Sequence, residues 1–275
     1  MELDILKDYL IKNFKISCED EKINSLSLDN NRLKSDKNSL YDTKELIENE
    51  EKSLYQDKVL LYLAKFSLYY DKLIEWNNKF NLTAITDIKD VQIKHFIDSI
   101  LPNALLDKSE SICDIGCGAG FPSIPLAILN PDKKFTLVDS VNKKITFINY
   151  IIETLDLQNL TAIHYRVEDF AKANFQGFDA CVARAVASMP TLVEYTLPLV
   201  KKDGFLLAYK GINYKEELEQ CSKILDILKG KLQKVEEYKL TDEEKRYVLV
   251  IQKTGDCPKK YPRNGNKPRI QPILG

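Results

Sequence analysis

The sequence predicts an α/β fold in which helices cover a mostly parallel sheet that is closed by an antiparallel hairpin. Three observations predict this fold. From residue 111 onward, five short apolar runs alternate with helical patterns. The first run enters a glycine-rich turn at residues 116–120, which is typical of a strand–turn–helix junction. A short charged turn joins the last two apolar runs, and it leaves no room for a crossover helix.

Helical patterns occupy the first hundred residues. Apolar residues recur at helical spacing in residues 3–14 and again from residue 43, where a long helix has the predicted apolar face Val59, Leu63, Phe66, Tyr70 and Leu73. Another helix is expected from about residue 87, and it should stop before Pro102. Residues 24–39 are rich in Ser, Asn, Asp and Lys, so we expect residues 24–53 to form an insertion or mobile loop.

Seven strands are expected after this helical region. The predicted strands are 112–115, 135–138, 160–165, 179–183, 205–209, 234–240 and 247–252. Five strand–helix units followed by a hairpin are the order found in Rossmann-like class I methyltransferases, which use S-adenosylmethionine. A nicotinamide dehydrogenase needs a sixth parallel strand instead. We therefore expect a helical N-terminal region over residues 1–100, a Rossmann-like domain over 101–256 and a basic tail over 257–275.

The glycine spacing distinguishes between nucleotide ligands. Dinucleotide-binding turns have the spacing G-x-G-x-x-G around a pyrophosphate, whereas Gly116, Gly118 and Gly120 alternate as G-x-G-x-G. Asp114 lies in the strand just before them. A carboxylate there is poorly placed for a pyrophosphate but suits an ammonium or sulfonium group, and S-adenosylmethionine carries both. A strand–turn–helix junction without a ligand is the alternative.

Charged residues follow several predicted strands at the edge where ligands bind in such sheets. Asp139 ends the second strand, 19 residues after Gly120, where an acid typically accepts hydrogen bonds from ribose hydroxyls; it also suits the start of the next helix. Glu168 follows the third strand and Arg184 the fourth. His95 is either a general base or substrate contact or a packed histidine, and its local sequence favours the packed histidine.

Composition limits the function classes. The net charge is −1, so no global field attracts nucleic acid and local patches must do so. Six cysteines have no C-x-x-C pair and only two histidines occur, which disfavours a metal site. Acids at residues 2 and 4 disfavour a signal peptide, and no apolar run approaches the roughly 20 residues of a membrane span. We expect a cytoplasmic monomer.

The tail at residues 257–275 concentrates positive charge. It contains the cations Lys259, Lys260, Arg263, Lys267 and Arg269 and has no acid after residue 256. Prolines at 258, 262 and 268 are expected to prevent a helix there. The tail is therefore predicted to be an extended strip that lies along phosphates, and an ordinary solvated surface is the alternative.

Several motifs occur together in the order of one family. They are Trp76-Asn77-x-x-Phe80-Asn81-Leu82-Thr83-Ala84-Ile85, His95-Phe96-Ile97-Asp98-Ser99, the turn from Asp114 to Pro122, Arg166-Val167-Glu168, Ala183-Arg184-Ala185 and Tyr261-Pro262-Arg263. From about residue 54 to its end, the chain resembles the bacterial 16S ribosomal RNA guanine-N7 methyltransferases, once known as glucose-inhibited division protein B. The Asn-Leu-Thr-Ala and His-Phe-x-Asp-Ser blocks are the specific part of this resemblance.

The resemblance implies a methyltransferase that uses S-adenosylmethionine and acts on 16S ribosomal RNA or the assembling small ribosomal subunit. It implies cofactor contacts at Gly116, Phe121, Val167, Glu168 and Arg184. The chain departs from the family at Ser123, where a further glycine is usual, and before residue 54, where the family is commonly shorter.

Guanine N7 has a free lone pair and no proton to remove, so the expected reaction needs alignment of the reactants rather than a general base. We therefore assign no catalytic residue, and we expect substrate contacts at His95, Lys210 and Arg263. The alternatives are a methyltransferase of another RNA, a protein or a small molecule, a nicotinamide oxidoreductase, and a ribosome-binding protein without activity. The glycine spacing and the closing hairpin oppose the oxidoreductase.

Overall fold

The computed structural model describes residues 3–14 and 39–275, with side chains described at 3–14 and 53–275. The chain divides into two compact units, Met1–Ser67 and Leu68–Gly275. Of the predicted insertion at residues 24–53, the part up to residue 38 lies outside the described residues. From Ser39 the chain is helical. None of the helices in the described ranges has the length and apolar character needed to cross a membrane.

The unit Met1–Ser67 contains helix α1, Asp4–Asn13, and the beginning of helix α2, Ser39–Phe80. Leu6 and Leu10 of α1 are fully buried, as the helical spacing predicts. The hydroxyl of Tyr55 donates a hydrogen bond to the carbonyl of Ile11 at 3.1 Å, near the end of α1 where helix carbonyls lack partners within the helix.

The unit Leu68–Gly275 begins with the end of α2. Short helical segments follow, namely α3 (Ile88–Asp90), a π-helical turn (Val91–Ile97), α4 (Asp98–Ile100) and a 3₁₀ turn (Asn103–Leu106). Asp87 starts this stretch, because its side chain accepts hydrogen bonds from the amides of Lys89 and Asp90. Pro102 lies directly before the 3₁₀ turn, so the predicted end of this helix is confirmed.

The described residues form a seven-stranded sheet with the order β3-β2-β1-β4-β5-β7-β6. The strands are β1 Ser111–Ile115, β2 Lys134–Asp139, β3 Leu160–His164, β4 Phe178–Arg184, β5 Val200–Lys210, β6 Gly230–Lys239 and β7 Lys245–Lys253. Strands β1 to β5 pair in parallel, and β7 pairs antiparallel with both β5 and β6. The predicted fold, a mostly parallel sheet closed by an antiparallel hairpin, is confirmed.

Helices lie between the strands along the chain, and one more helix follows the last strand. They are α5 Ser123–Leu129, α6 Asn142–Leu155, α7 Val167–Ala173, α8 Met189–Thr196, α9 Tyr214–Glu219, α10 Ser222–Leu228 and α11 Lys267–Ile270. The central strands are buried on both sides, and Ile112, Cys113 and Ile115 of β1 are all inaccessible to solvent.

The prediction of an extended, helix-free tail is wrong. Residues 267–270 form α11 with Pro268 in its first turn, where proline is tolerated because the amide of that position has no partner within the helix. Cys257 and Tyr261 are buried, so the tail packs against the domain. Proline is disfavoured in the interior of a helix, but it does not prevent the chain from packing against the domain.

We predict that Gly120→Ala destabilises the protein far more than Gly118→Ala does. Both glycines have positive φ, +101° and +61°, so alanine strains the backbone by about 1–2 kcal/mol at either position. A Cβ at Gly120 would also lie 2.8 Å from Cγ1 of the buried Ile124 and 3.1 Å from the Tyr69 hydroxyl, whereas at Gly118 it meets nothing within 4 Å. Overpacking adds about 1–3 kcal/mol.

Urea unfolding of Gly120→Ala and Gly118→Ala measures the difference in their free energies of unfolding. Equal losses in the two variants would contradict the close packing at Gly120.

Candidate cofactor and substrate sites

The carboxyl ends of β1 and β4 lie side by side where the strand order of the sheet reverses. Crevices at such reversal points are where open α/β sheets bind their ligands. Two cavities are found there, with volumes of about 400 Å³ and about 760 Å³. Ala185 and Val186, which directly follow β4, line both cavities. Ligands in the two cavities would therefore share one wall.

The smaller cavity contains four of the six residues predicted to bind the cofactor. Gly116, Asp139, Val167 and Glu168 line it, and they follow or end β1, β2 and β3. A Cβ at Gly116, whose φ is +66°, would lie 3.0 Å from the Val186 side chain. Glycine therefore allows both the turn and the close approach of Val186. Parallel strands bring these residues together because their carboxyl ends meet at one edge.

Asp114 is a buried acid beside this cavity, one residue before the lining residue Ile115. Its side chain is 1% exposed, and neither carboxylate oxygen makes a well-formed hydrogen bond among the described residues, although Ser123 and Arg184 lie close enough to favour its charged form. Burial raises the pKa of Asp114 from its usual value to about 8. A buried polar group without a partner is costly, so the site is suited to a ligand that supplies a cation or hydrogen-bond donors.

Asp139 connects the glycine turn with the following helix. Its Oδ2 accepts a hydrogen bond from the amide of Gly118 at 3.0 Å, and its Oδ1 accepts one from the amide of Val141 at 2.9 Å. Lys144 on α6 lies 3.5 Å from Oδ2. Asp139 therefore supports the turn that precedes α6 without capping the helix itself, and its contact with ribose hydroxyls stays a prediction.

Glu168 is 7% exposed and lies at the first turn of α7. Its Oε1 accepts hydrogen bonds from the Tyr195 hydroxyl at 3.3 Å and from the backbone amide of Asn266 at 3.2 Å. Asn266 and Arg269, both in the tail, line the cavity with it. These two residues are not recognisable as site residues from the sequence, because nothing in their local sequence places the tail beside β3.

The larger cavity contains His95 and Lys210, two of the predicted substrate contacts, together with Arg184. His95 lies on the π-helical turn, a distortion that is frequent at functional sites. Its ring stacks on Phe121 with centroids 4.4 Å apart, and its Nε2 lies 2.8 Å from the Thr83 hydroxyl. Burial, with a smaller effect of Arg184, lowers the pKa of His95 to about 4, so the ring is neutral at pH 7.

Asp98 holds two arginines at the wall of this cavity. Its carboxylate is 2% exposed, and it accepts hydrogen bonds from Arg184 Nη1 at 3.0 Å and Arg246 Nε at 2.6 Å. The Arg184 guanidinium also lies over the Phe121 ring, 5.2 Å from its centroid. Arg184 and Phe121, predicted to bind the cofactor, are thus found with the residues of the larger cavity. Asp98 and Arg246 were missed as part of this cluster.

Lys210 and Arg263 have different surroundings. Lys210 ends β5, and its Nζ donates to the carbonyl of Ala187 at 2.9 Å and to Glu217 at 2.6 Å. Arg263 is placed away from His95 and Lys210, and its guanidinium is paired with the buried Glu194 at 2.7 Å. The structure therefore brings together two of the three predicted substrate contacts.

Comparison with known proteins identifies one family. The family model described as rRNA small subunit methyltransferase G matches residues 62–247. The chain is 45% identical over 198 residues to the ribosomal RNA small subunit methyltransferase G of Lactococcus lactis subsp. lactis (strain IL1403), and this match covers 70% of the chain and 83% of the relative. It is 46% identical over 200 residues to the protein of the same description in Macrococcus caseolyticus (strain JCSC5402), with the same coverage.

We predict that Asp98→Asn lowers the free energy of unfolding by about 3 kcal/mol, because it removes the charge that compensates two partly buried guanidinium groups. Asp90→Asn is the matched control. Asp90 pairs with Lys94 at 3.0 Å, but the side chains are exposed, Asp90 to 48% and Lys94 to 35%. An exposed pair is worth less than about 1 kcal/mol.

Urea unfolding of the two variants tests the difference. A loss at Asp98 no larger than the loss at Asp90 would show that the two arginines do not depend on the Asp98 carboxylate.

Proposed function

The chain belongs to the rRNA small subunit methyltransferase G family, and we propose that it transfers the methyl group of S-adenosylmethionine to N7 of a guanine in 16S ribosomal RNA. The observation that carries this proposal is the pair of cavities that meet at Ala185 and Val186. The smaller cavity has groups that suit the cofactor, and the larger cavity has room for a nucleotide base. A reaction between two ligands requires such adjacent cavities.

The residues of the smaller cavity fit S-adenosylmethionine. Asp114, a buried acid that lies beside this cavity rather than in its lining, suits the ammonium group of the methionine part. Asp139 suits the ribose hydroxyls, and Val167 and Glu168 suit the adenine ring and its amino group. When bound, the cofactor supplies an electrophilic methyl group on a sulfonium sulfur. The protein contributes binding and orientation, and it excludes water from the reacting atoms.

The larger cavity suits an uncharged base that becomes cationic when it is methylated. His95 is neutral at pH 7, because its pKa is lowered to about 4. The cations of the cavity wall are paired with acids: Arg184 and Arg246 with Asp98, and Lys210 with Glu217. These acids offset part of the positive charge of the cavity wall, which lowers the repulsion felt by the charge that moves from sulfur to the base. Because these cations donate their hydrogen bonds to acids, they are less able to bind N7 of the guanine, whose lone pair must remain free for methylation.

The guanine must leave its stack to enter this cavity. N7 faces the major groove, which is deep and narrow in A-form RNA, so the target is expected in a loop or rotated out of the helix. The exposed tail residues Lys259, Lys260 and Lys267 are suited to contact phosphates nearby. We propose that the protein acts as a monomer in the cytoplasm, on free 16S ribosomal RNA or on the assembling small subunit.

The expected reaction is tested by incubating the protein with labelled S-adenosylmethionine and 16S ribosomal RNA. We expect label at N7 of one guanine, mapped by cleavage at the modified base. Label in another RNA, a protein or a small molecule only would support the alternative methyltransferases, and no transfer to any of them would contradict the proposal.

Lys210→Ala is expected to reduce kcat/KM for RNA about tenfold or more. The affinity for S-adenosylmethionine is expected to stay within about twofold, because Lys210 lines only the larger of the two cavities. Lys215→Ala, which removes an exposed cation from α9, is the control and should leave both quantities unchanged. If Lys210→Ala lowered the affinity for S-adenosylmethionine as much as it lowers kcat/KM for RNA, the assignment of Lys210 to the larger cavity alone would be contradicted.

The pKa of Asp114 predicts how cofactor binding depends on pH. The carboxyl group is protonated below about pH 8 in the free protein, whereas an ammonium ligand requires the carboxylate. Binding must therefore release a proton from Asp114, and the affinity should fall as the pH is lowered from 7.5 to 6. The cofactor's own amino group only becomes more protonated over this range, so it cannot cause the fall. Asp114→Asn should bind weakly and without this pH dependence.

Calorimetry in buffers of different ionisation enthalpy measures the proton release directly. A wild-type affinity that is constant between pH 6 and 7.5 would show that Asp114 does not pair with the ammonium group.

A further inference from the structure

We propose that residues 261–271, here called the C-terminal segment, form part of the cofactor site and position Glu168 for the amino group of adenine. This inference rests on the proposed function, since it assigns further residues to the same site. The sequence predicts that Arg263 contacts the substrate. We assign Arg263 a different role, as a positioning residue that anchors the C-terminal segment and affects the cofactor only through that segment.

The C-terminal segment forms one wall of the smaller cavity. Asn266 and Arg269 line the cavity beside Glu168 and Tyr195. The Arg269 guanidinium donates a hydrogen bond at 3.1 Å to the carbonyl of Val186, the residue that also borders the larger cavity. This contact fixes the arginine at the point where the two cavities meet.

The C-terminal segment also orients Glu168. Two donors hold Oε1 of this nearly buried carboxylate, and one of them is the backbone amide of Asn266. Asn266 has a φ of +61°, the left-handed conformation that asparagine tolerates better than most residues, and it turns the chain at the start of α11. A carboxylate accepts hydrogen bonds only, so an oriented Glu168 suits an amino group and rejects a carbonyl at the same position.

A buried ion pair anchors this arrangement. Glu194 on α8 is inaccessible to solvent, and it accepts hydrogen bonds from Arg263 at the backbone amide (2.9 Å), Nε (2.9 Å) and Nη2 (2.7 Å). A buried carboxylate without its partner is strongly unfavourable, which makes the bound position of Arg263 obligatory. Nη2 of Arg263 also donates to the carbonyl of Gln271 at 2.8 Å, and Thr191 donates to that of Pro268 at 2.8 Å.

These contacts leave the tail with two sides. Arg263 is partly buried and paired with Glu194, and Arg269, although exposed, donates to the carbonyl of Val186. Lys259, Lys260 and Lys267 are exposed and have no such contact with the cofactor cavity among the described residues, so they are the cations suited to phosphate contact. Variants of the two groups should therefore affect different ligands.

The test measures the Kd of S-adenosylhomocysteine and of its inosine analogue, in which a carbonyl replaces the adenine amino group. The proteins are the wild type, Arg263→Ala, Arg269→Ala, a chain that ends at residue 260, and the double variant Lys259→Ala, Lys260→Ala as control. We expect Arg263→Ala and the shortened chain to bind S-adenosylhomocysteine about tenfold or more weakly and to lose most of the preference for adenine over inosine. The control should match the wild type in both.

Thermal unfolding without ligand shows which variants are folded. If Arg263→Ala and the shortened chain do not fold, Arg263→Lys and Arg269→Ala decide. Arg263→Lys keeps the charge and the backbone contact but not the paired Nε and Nη2 contacts with Glu194, so its adenine preference should fall. Arg269→Ala leaves the anchor intact and should weaken binding several-fold.

Three outcomes separate the inference from the function on which it rests. Wild-type protein that binds neither S-adenosylmethionine nor S-adenosylhomocysteine would overturn the proposed function. Wild-type binding together with unchanged affinity and adenine preference in all folded variants would overturn the inference alone. Affinity that falls equally for adenine and inosine would show that the C-terminal segment only stabilises the domain, and would also overturn it.

Discussion

The parallel pairing of β1 with β2 on one side and β4 on the other is the constraint on which both cavities depend. Parallel strands end at the same edge, so this pairing brings Gly116, Asp139 and Arg184 to one place although they are far apart in sequence. The strand order reverses at β1, and the helices that follow β1 and β4 therefore leave on opposite faces. The crevice between them is a consequence of topology, and the side chains determine which ligand it suits.

Besides Glu168, three buried aspartates give the crevice its electrostatic character. Asp139 accepts one backbone amide on each oxygen and stabilises the turn while keeping further acceptor capacity, whereas Asp98 holds two arginines in place. Asp114 has no such partner among the described residues, and its pKa is raised to about 8. The first two acids are structural supports of their cavities. The third is the one that a cationic ligand would satisfy, which is why the affinity for the cofactor should depend on pH.

Local sequence was sufficient for the strands, for the glycine turn and for the position of Asp139. Alternating apolar runs and helical patterns are local consequences of burial, and a G-x-G-x-G turn is a local consequence of positive φ. Local sequence was insufficient where burial depends on distant partners. The predicted apolar face of α2 included Tyr70, but Tyr69 is the residue that is fully buried, and its hydroxyl donates to the carbonyl of Ala119. Neighbouring aromatic residues carry no signal that distinguishes them.

The sequence by itself determined the fold class, the family and the edge of the sheet at which a ligand binds, because these follow from periodicity, spacing and motif order. Only the tertiary structure decided which charges are available there. It paired Arg184 and Arg246 with one carboxylate and Arg263 with another, and it placed Asn266 and Arg269 beside Glu168. A run of cations looks the same in sequence whether it faces solvent or a buried acid, and the position of that acid is set by packing between elements remote in the chain.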